Sequence, residues 1–431
     1  MAGVRKYGAK EFCIGILVLL LAMGLVFTRW GVSDGFPQAV SLWIIGTGTV
    51  LILIGFKAGT DDHMQCAVLY AAYLVRVGCM LVDIYGREHI KLLHSGADTE
   101  SFYQGAAALY HGEENALILT RYPQMLNWIF HATGDNRVCV QYVNIVFWVL
   151  SCFVLLRLCS QFAVKECAKL WILLLWGFLP NGILLNSILL RESAEMFFDL
   201  WSFERFLYWM KDGGKRYLAE AFLIVIPPII LHSAPAALWA VYVAGVMFWD
   251  VKRQRFRWQI KSAVVFACAF LCFIAIIATP LKSLLFVYFG KDFSIYGLTH
   301  MYHEAGGSDY LGSVECSTWW QFSLYTLVRM FYFLFSPLPT EARGSLDIAA
   351  FLGDGFLLML VILCLARKMY RNCKMRAYIG MALLGMVFLT DIFAWGVANA
   401  GTAMRHRYLV WGIMIMGLCI SYSEKKRRTN F

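Results

Sequence analysis

Apolar stretches long enough to cross a bilayer recur along the chain from Glu11 to Ile420, and short polar segments separate them. An α-helix needs about 20 such residues to span the hydrocarbon layer. The pattern therefore predicts an all-α, polytopic transmembrane helix bundle with about twelve spans, in which residues 1–431 form one transmembrane domain. The predicted spans are 11–28, 38–56, 64–82, 138–157, 168–190, 193–210, 217–232, 234–249, 260–280, 348–366, 376–398 and 403–422.

Two more apolar segments, 116–133 and 319–337, contain polar residues and are not counted as crossings. The polar residues are Arg121, Pro123 and Asn127 in the first segment and Arg329 in the second. A charge inside a span is costly. We therefore interpret both segments as interfacial or re-entrant helices on the outer side of the membrane. They lie in the two longest predicted outer loops, 83–137 and 281–347.

The composition supports a membrane protein and argues against several other classes. Of the 431 residues, 60% are hydrophobic and 15% are charged, against about 25% charged in a soluble chain. The net charge of +10 does not indicate a nucleic-acid partner, because the basic residues form short clusters between apolar segments. The 13 cysteines are scattered and form no CxxC pair, so no disulfide framework or zinc site is predicted.

The basic clusters predict the orientation of the chain, because Lys and Arg are enriched in cytoplasmic loops. With the N-terminus in the cytoplasm, every predicted inner loop carries basic residues and the two longest loops fall outside. Both termini are then cytoplasmic. We expect a multi-pass protein of the plasma membrane, the inner membrane of a bacterium. The main inner clusters are Arg157/Lys165/Lys169, Lys211/Lys215/Arg216, Lys252/Arg253/Arg255/Arg257, Arg367/Lys368/Arg371/Lys374/Arg376 and Lys425/Lys426/Arg427/Arg428.

A first polar group lies early in the first outer loop, where Asp98, Glu100 and Tyr103 precede a stretch of small residues. A carboxylate placed here could take a proton from a hydroxyl nucleophile. The alternative is a capped interfacial helix, in which Ser95 or Asp98 is the N-cap. Both interpretations stay open at the level of the sequence.

A second polar group contains Pro180-Asn181-Gly182, then Asn186-Ser187, then Arg191-Glu192, with Glu195 and Asp199 in the next segment. The three acids are spaced i, i+3, i+7, which places them on one face of a helix. An acidic face turned toward lipid would be very unfavourable, so it should meet a cavity or basic partners. The alternative is an ion-pair network with Arg191 and Arg205 that holds the bundle together.

A third polar group, Gly401 and Thr402 followed by Arg405, His406 and Arg407, lies at the predicted outer mouth of the last span. Two arginines this close can hold a phosphate or pyrophosphate by charge-assisted hydrogen bonds. The glycine would let the backbone approach the ligand closely. The alternative is that the arginines only snorkel to the interface.

A fourth polar group combines Arg329, within an aromatic stretch, with the Ser-Pro-Leu-Pro-x-Glu segment that begins at Ser336. An aromatic helix of this kind suits the boundary of acyl chains and headgroups, where it could grip a lipid tail and place a cation at its phosphate. The alternative is an ordinary aromatic belt. His300, His303 and Glu304 precede this group with a spacing that gives only weak support for a metal site.

The order of these motifs along residues 64–422 is Asp-x4-Tyr, Pro-Asn…Ser…Leu-Arg-Glu, the aromatic helix with Ser-Pro-Leu-Pro-x-Glu, and Gly-Thr-x-x-Arg-x-Arg. This order resembles bacterial GT-C-like membrane glycosyltransferases and the related polymerases of cell-surface polysaccharides. The resemblance implies a polyprenyl-linked sugar donor and transfer on the outer face of the membrane. In that family the acidic motif usually follows the first span, whereas here it follows the third predicted span.

The predicted function is glycosyl transfer from a polyprenyl-phosphate or polyprenyl-pyrophosphate donor in cell-surface glycan assembly, with repeat-unit polymerisation as one form. The expected partners are that donor, a glycan or lipid-linked acceptor, and membrane lipids. No cofactor or metal ligand is required by the sequence, and a divalent cation is left open. The predicted residues are Asp98, Glu100 and Tyr103 for catalysis, Arg405, Arg407, Arg329 and Arg191 for the donor phosphate, and Glu192 and His406 in support.

The rival prediction is a polytopic transporter or a flippase for lipid-linked oligosaccharide. Transporters place ionisable groups near the membrane midplane and often carry internal repeats. Asp391, Asp354 and Arg76 are the residues that this interpretation would promote. The predicted polar groups instead gather at the outer interface, which favours an enzyme.

Overall fold

The computed structural model describes residues 36–113, 120–257, 308–311, 316–372 and 375–423, with the separate positions 18, 262–264, 267, 271, 295 and 299. It is about 81% helical with almost no sheet, which confirms the all-α prediction. The predicted spans 11–28 and 260–280 lie outside the described residues, apart from the separate positions named above. The same holds for the cluster of His300, His303 and Glu304.

The chain divides into two compact units, Met1–Phe197 with Ser423–Phe431, and Phe198–Tyr422. The helices described in the first unit are numbered in chain order, and the last of them, α8, continues into the second unit. They are α1 (Phe36–Gly59), α2 (His63–Tyr85), α3 (Ala97–His111), α4 (Tyr122–Thr133), α5 (Arg137–Gln161), α6 (Glu166–Phe178), α7 (Pro180–Ser187) and α8 (Glu192–Asp212).

The second unit is also helical, with one two-stranded antiparallel hairpin among its described residues. Its elements are α9 (Lys215–Ile224), α10 (Ile226–Leu231), a 3₁₀ turn (Ala234–Ala236), α11 (Ala237–Phe248), β1 (Trp249–Asp250), β2 (Arg255–Phe256), α12 (Trp319–Phe335), a 3₁₀ turn (Pro339–Glu341), α13 (Ser345–Ala350), a π segment (Phe351–Phe356), α14 (Leu357–Arg371), α15 (Arg376–Gly396) and α16 (Ala400–Ser421).

Five helical segments among the described residues are long and apolar enough to cross a membrane. They are Gln38–Gly59, His63–Tyr85, Arg137–Gln161, Ser345–Arg371 and Arg376–Gly396, and each matches a predicted span. A sixth match is the pair α6 and α7, which is bent by 53°. The bend falls at Leu179, because the following Pro180 lacks an N–H and disfavours helical geometry in the residue before it.

The other predicted spans are not confirmed as crossings. The 193–210 segment is helical but carries many ionisable side chains, and 217–232 consists of the two short helices α9 and α10. The 234–249 segment contains the short apolar helix Ala234–Phe248. Helix α16, predicted as 403–422, holds two arginines, and its residues 403–421 are all buried. The two segments left out as crossings form α4 and α12, and their re-entrant placement stays a prediction.

Short polar side chains begin several helices, as the capping preferences of Asp, Asn and Thr predict. Each accepts a hydrogen bond from a backbone N–H in the first turn that has no partner within the helix. The distances are 2.8 Å from Met64 N to Asp62, 3.0 Å from Val138 N to Asn136, 3.2 Å from Gln321 N to Thr318, and 2.8 Å from Thr402 N to Asn399.

Candidate functional site

Helix α3 carries the three predicted catalytic residues, and Gly96 is its N-cap. The Thr99 hydroxyl donates to the Gly96 carbonyl at 2.9 Å and accepts from the Gly96 N–H at 3.2 Å, which closes the first turn. Neither Ser95 nor Asp98 is therefore the cap. Asp98 is the second residue of the helix and is exposed, where a negative charge is favourable next to the helix N-terminus.

Glu100 lies between Arg87, in the turn after α2, and Arg137, the first residue of α5. Arg137 forms a bidentate pair with Glu100, in which Nη1 donates to Oε2 at 2.8 Å and Nη2 donates to Oε1 at 2.7 Å. Arg87 Nη1 also donates to Oε1. This arrangement fixes α3 against the end of α2 and the start of α5. Hydrogen bonds and charge from Arg137, opposed by partial burial and reinforced by Arg87, lower the pKa of Glu100 from 4.5 to about 2.

A carboxylate with this pKa is a poor proton acceptor, so we expect Glu100 to stabilise the position of α3. Because its folded-state pKa is lowered, its contribution to stability should be complete above about pH 4.5 and should be lost as pH falls toward about 2. The difference in thermal unfolding midpoint between wild type and Glu100→Gln should therefore shrink between pH 6 and pH 3. A difference that stays constant over that range would contradict this role.

Tyr103 lies on the same helix and is held by the turn that precedes α5. Its hydroxyl donates to Asp135 Oδ1 at 2.7 Å, and the Arg137 guanidinium lies 5.3 Å from its ring centre. His111 Nε2 lies 3.3 Å from the other oxygen of Asp135. Burial and the contact with Asp135 raise the pKa of Tyr103. Its phenol thus helps to fix the last turns of α3.

A buried polar chain continues from this cluster through Asp83 and Gln141, two residues that were not predicted as site residues from the sequence. Ser95 Oγ donates to Asp83 Oδ1 at 2.5 Å, and Gln141 Nε2 donates to Asp83 Oδ2 at 2.9 Å. Gln141 Nε2 also lies 2.6 Å from the carbonyl oxygen of Ser187. The first and second predicted polar groups are therefore connected. The available signal was Gln141 inside the predicted span 138–157 and Asp83 directly after the predicted span 64–82, since polar residues at a span need partners.

The break between α7 and α8 is held open by two side chains. Asn144 Nδ2 donates to the carbonyls of Ile188 and Leu190 at 2.7 and 2.8 Å. The Tyr122 hydroxyl donates to Asn144 Oδ1 at 3.2 Å and lies 3.1 Å from the Leu190 carbonyl. These contacts satisfy backbone groups that a continuous helix would have paired internally.

Arg191 and the acidic stripe of α8 lie directly after this break. Glu192, Glu195 and Asp199 are all buried, and Arg191 Nε lies 3.1 Å from Glu195 Oε1. Arg205 lies 3.8 Å from Glu204 and 3.6 Å from Glu220. The stripe is therefore buried, as the cost of an acidic face in lipid requires, and Arg191 contacts one of its acids. The contacts given for Arg205 are with Glu204 and Glu220, outside the stripe. The donor-phosphate role of Arg191 and the supporting role of Glu192 stay predictions.

In the second unit, Arg407 is fully buried and forms three directed contacts. Its Nη1 donates to Asp354 Oδ2 at 2.8 Å, its Nε to the Phe333 carbonyl at 2.9 Å, and its Nη2 to the Ser336 carbonyl at 2.5 Å. Trp411 Nε1 donates to the second oxygen of Asp354 at 2.5 Å. Simple snorkelling to the interface does not describe this arginine. Its guanidinium joins α16, the π segment and the end of α12.

Arg329 is buried on α12 and contacts the end of α15. Its Nε donates to the Ala394 carbonyl at 2.6 Å and its Nη2 to the Val397 carbonyl at 3.1 Å. The guanidinium also lies 4.8 Å from the ring centre of Trp395. The third and fourth predicted polar groups thus come together in this unit, because Arg407 of the third group donates to the carbonyl of Ser336 in the fourth.

The start of α16 contacts residues of the predicted second outer loop and is flanked by stacked rings. The Tyr310 N–H donates to the Ala398 carbonyl at 3.0 Å, and the Ala400 N–H donates to the Ser308 carbonyl at 2.9 Å. The His406 ring stacks on His232 and Phe393, with ring centres 5.1 and 4.8 Å apart. Arg405 is buried beside these residues. The donor-phosphate role of Arg405 and the supporting role of His406 stay predictions.

No known family model matches the chain, and it has no significant match among curated proteins or solved structures. Within the described ranges, no group of three or more His, Cys, Asp or Glu side chains is placed to hold a metal ion.

Proposed function

We propose that this protein is a membrane glycosyltransferase that uses a sugar linked to polyprenyl phosphate or pyrophosphate to assemble a cell-surface glycan. The contrast between two carboxylates on α3 carries the proposal. Glu100 is locked by Arg87 and Arg137, whereas Asp98 is exposed one half-turn earlier. An exposed acid on a fixed helix can accept a proton from a bound hydroxyl, and a carboxylate bound by two arginines cannot readily do so.

In the proposed reaction, the acceptor hydroxyl gives its proton to Asp98 while its oxygen attacks the anomeric carbon of the donor sugar. The bond from that carbon to the phosphate oxygen breaks, and the polyprenyl phosphate or pyrophosphate leaves with the electron pair. Glu100 and Tyr103 act as positioning residues that keep α3 in place. Fixed cations would stabilise the charge on the leaving phosphate, a role for which Arg405, Arg407, Arg329 and Arg191 remain the predicted candidates.

A transporter or flippase is the second candidate, and buried ionisable groups in two possible spans favour it. Arg76 lies in the middle of α2, fully buried, with Nη1 2.7 Å from the Gly177 carbonyl and its guanidinium 3.7 Å from the centre of the Trp148 ring. Asp354 is buried within the segment Ser345–Arg371. Ionisable groups at such depth often mark transport pathways. Here the contacts of both side chains are with fixed structural groups, which favours the enzyme.

Mass spectrometry of the lipid-linked glycans that accumulate when the gene is deleted in its host tests the proposal. A single truncated unit would indicate a transferase, and complete but unpolymerised units would indicate a polymerase. Complete units confined to the cytoplasmic leaflet would favour the flippase instead. An unchanged set of lipid-linked glycans and of surface glycan would overturn the proposal.

A further inference from the structure

The hairpin β1–β2 follows α11 without a linker, so it begins where an apolar helix ends. Its register pairs Trp249 with Phe256 and Asp250 with Arg255, and the Arg257 N–H donates to the Phe248 carbonyl at 2.7 Å. The preceding helix, Ala234–Phe248, is apolar along its length. A hairpin that continues such a helix directly lies at headgroup level when the helix is in the bilayer.

The hairpin is anchored on the ends of two other helices. Gln254 Nε2 donates to the carbonyls of Met210 and Lys211 at 3.0 and 3.1 Å, and its Oε1 accepts from the Tyr378 hydroxyl at 2.5 Å. Trp249 Nε1 also donates to the Met210 carbonyl, at 2.8 Å. These contacts fix the hairpin to the end of α8 and the start of α15. Its side chains therefore project from a rigid support.

Cationic side chains dominate the exposed surface of this hairpin. Four basic residues, Lys252, Arg253, Arg255 and Arg257, are exposed. The one acid between residues 249 and 257 is Asp250, whose Oδ2 lies 3.9 Å from Arg253 Nε. Phe256 is 48% exposed in the middle of these charges. The surface thus combines several cations with an apolar ring.

A second basic cluster lies at the same end of this unit. Arg367, Arg371 and Arg376 are exposed around the turn from α14 to α15. Arg376 Nη2 donates to the Tyr370 carbonyl at 3.2 Å, which closes this turn. Tyr378, two residues later, bonds to Gln254 of the hairpin. The Tyr378–Gln254 bond therefore joins the two elements that carry these clusters, and both clusters lie at one end of this unit.

We propose that this surface, formed by Lys252, Arg253, Arg255, Arg257, Arg367 and Arg371, is a docking site for anionic phospholipid headgroups. Guanidinium groups match the geometry of phosphate oxygens, and Phe256 suits the boundary between headgroups and acyl chains. Each Lys or Arg close to an anionic bilayer strengthens binding by about fivefold. The position of the hairpin at the end of an apolar helix favours a lipid over an acidic soluble protein as the occupant.

Native mass spectrometry of the purified full-length protein can measure the binding of phosphatidylglycerol against phosphatidylcholine. The test variant is Lys252→Gln/Arg255→Gln/Arg257→Gln, which leaves the anchoring Gln254 in place. We expect it to bind phosphatidylglycerol at least tenfold more weakly, with phosphatidylcholine binding unchanged. The matched control, Lys91→Gln/Arg121→Gln/Arg343→Gln, removes three exposed cations elsewhere and should bind both lipids like wild type.

Two further measurements test the proposal. Arg255→Lys/Arg257→Lys should keep most of the phosphatidylglycerol binding, because it keeps the charge. Raising the NaCl concentration from about 0.05 to about 0.5 M should weaken wild-type binding, because salt screens exposed charges. Equal loss in the test and control variants, binding that is insensitive to salt, or equal affinity for both lipids would overturn the proposal. The salt titration uses wild-type protein, so it tests whether exposed charges hold the lipid even if the triple variant does not fold.

Discussion

Asp98→Asn should lower glycosyl transfer by about 10²–10⁴-fold, the usual loss when a general base is removed. The amide keeps the shape and the exposed position of the side chain but cannot accept the proton. The fold should be retained, because an acid in the first turn of a helix contributes only about 0.3–1 kcal/mol. The measurement is the ratio of extended glycan to accumulated lipid-linked glycan in a deletion strain that carries the variant at wild-type expression.

Glu88→Gln is the matched control for this substitution. Glu88 is an exposed acid in the same predicted outer loop, outside α3, and its replacement should leave transfer unchanged. Glu100→Gln separates the two roles, since it should lower the stability of the protein and leave Asp98 able to act as the base. Transfer by Asp98→Asn within threefold of wild type would contradict the catalytic role of Asp98. Its negative charge would then act only by its favourable position at the N-terminus of α3.

Arg407→Met should destabilise the protein by about 3–5 kcal/mol, because it leaves Asp354 as an uncompensated buried charge. Two backbone carbonyls, those of Phe333 and Ser336, also lose their donor. Arg407→Lys should lose less, since it keeps a positive charge but not the planar group that reaches three partners. Equilibrium unfolding in mixed micelles with increasing SDS measures both losses against wild type.

A double-mutant cycle identifies the cause of that loss. Arg407→Met/Asp354→Leu should be more stable than Arg407→Met alone, because the second change removes the unpaired charge. Arg367→Met, at an exposed position in the same unit, should stay within about 0.5 kcal/mol of wild type. Additive losses in the double variant would show that the two side chains do not act as a pair.

Glycine and the π segment explain how Asp354 reaches Arg407. The π segment Phe351–Phe356 contains one wide turn around Asp354, and such turns interrupt the regular spacing of a helix. A Cβ on Gly355 would lie 2.7 Å from the Phe335 carbonyl oxygen. The close approach of these two backbones therefore requires glycine at this position. A regular helix with a larger residue at 355 could not pack in the same way.

The sequence alone determined the features that depend on neighbouring residues. The apolar runs gave the five possible spans, and Pro180 accounts for the bend after α6. Asn136 and Asn399 begin α5 and α16 because a cap bonds to a backbone group two or three residues away. The spacing of Glu192, Glu195 and Asp199 required burial, and all three are buried.

The tertiary structure decided which partners the charged groups have. Local spacing does not show that Arg137, 37 residues beyond Glu100, binds Glu100. Arg407 pairs with Asp354, 53 residues earlier, and not with a group in its own motif. Such partners depend on the packing of distant helices, because a side chain bonds to whatever the fold brings within about 3 Å. Local spacing determined the helices, and only packing determined the roles available to their charges.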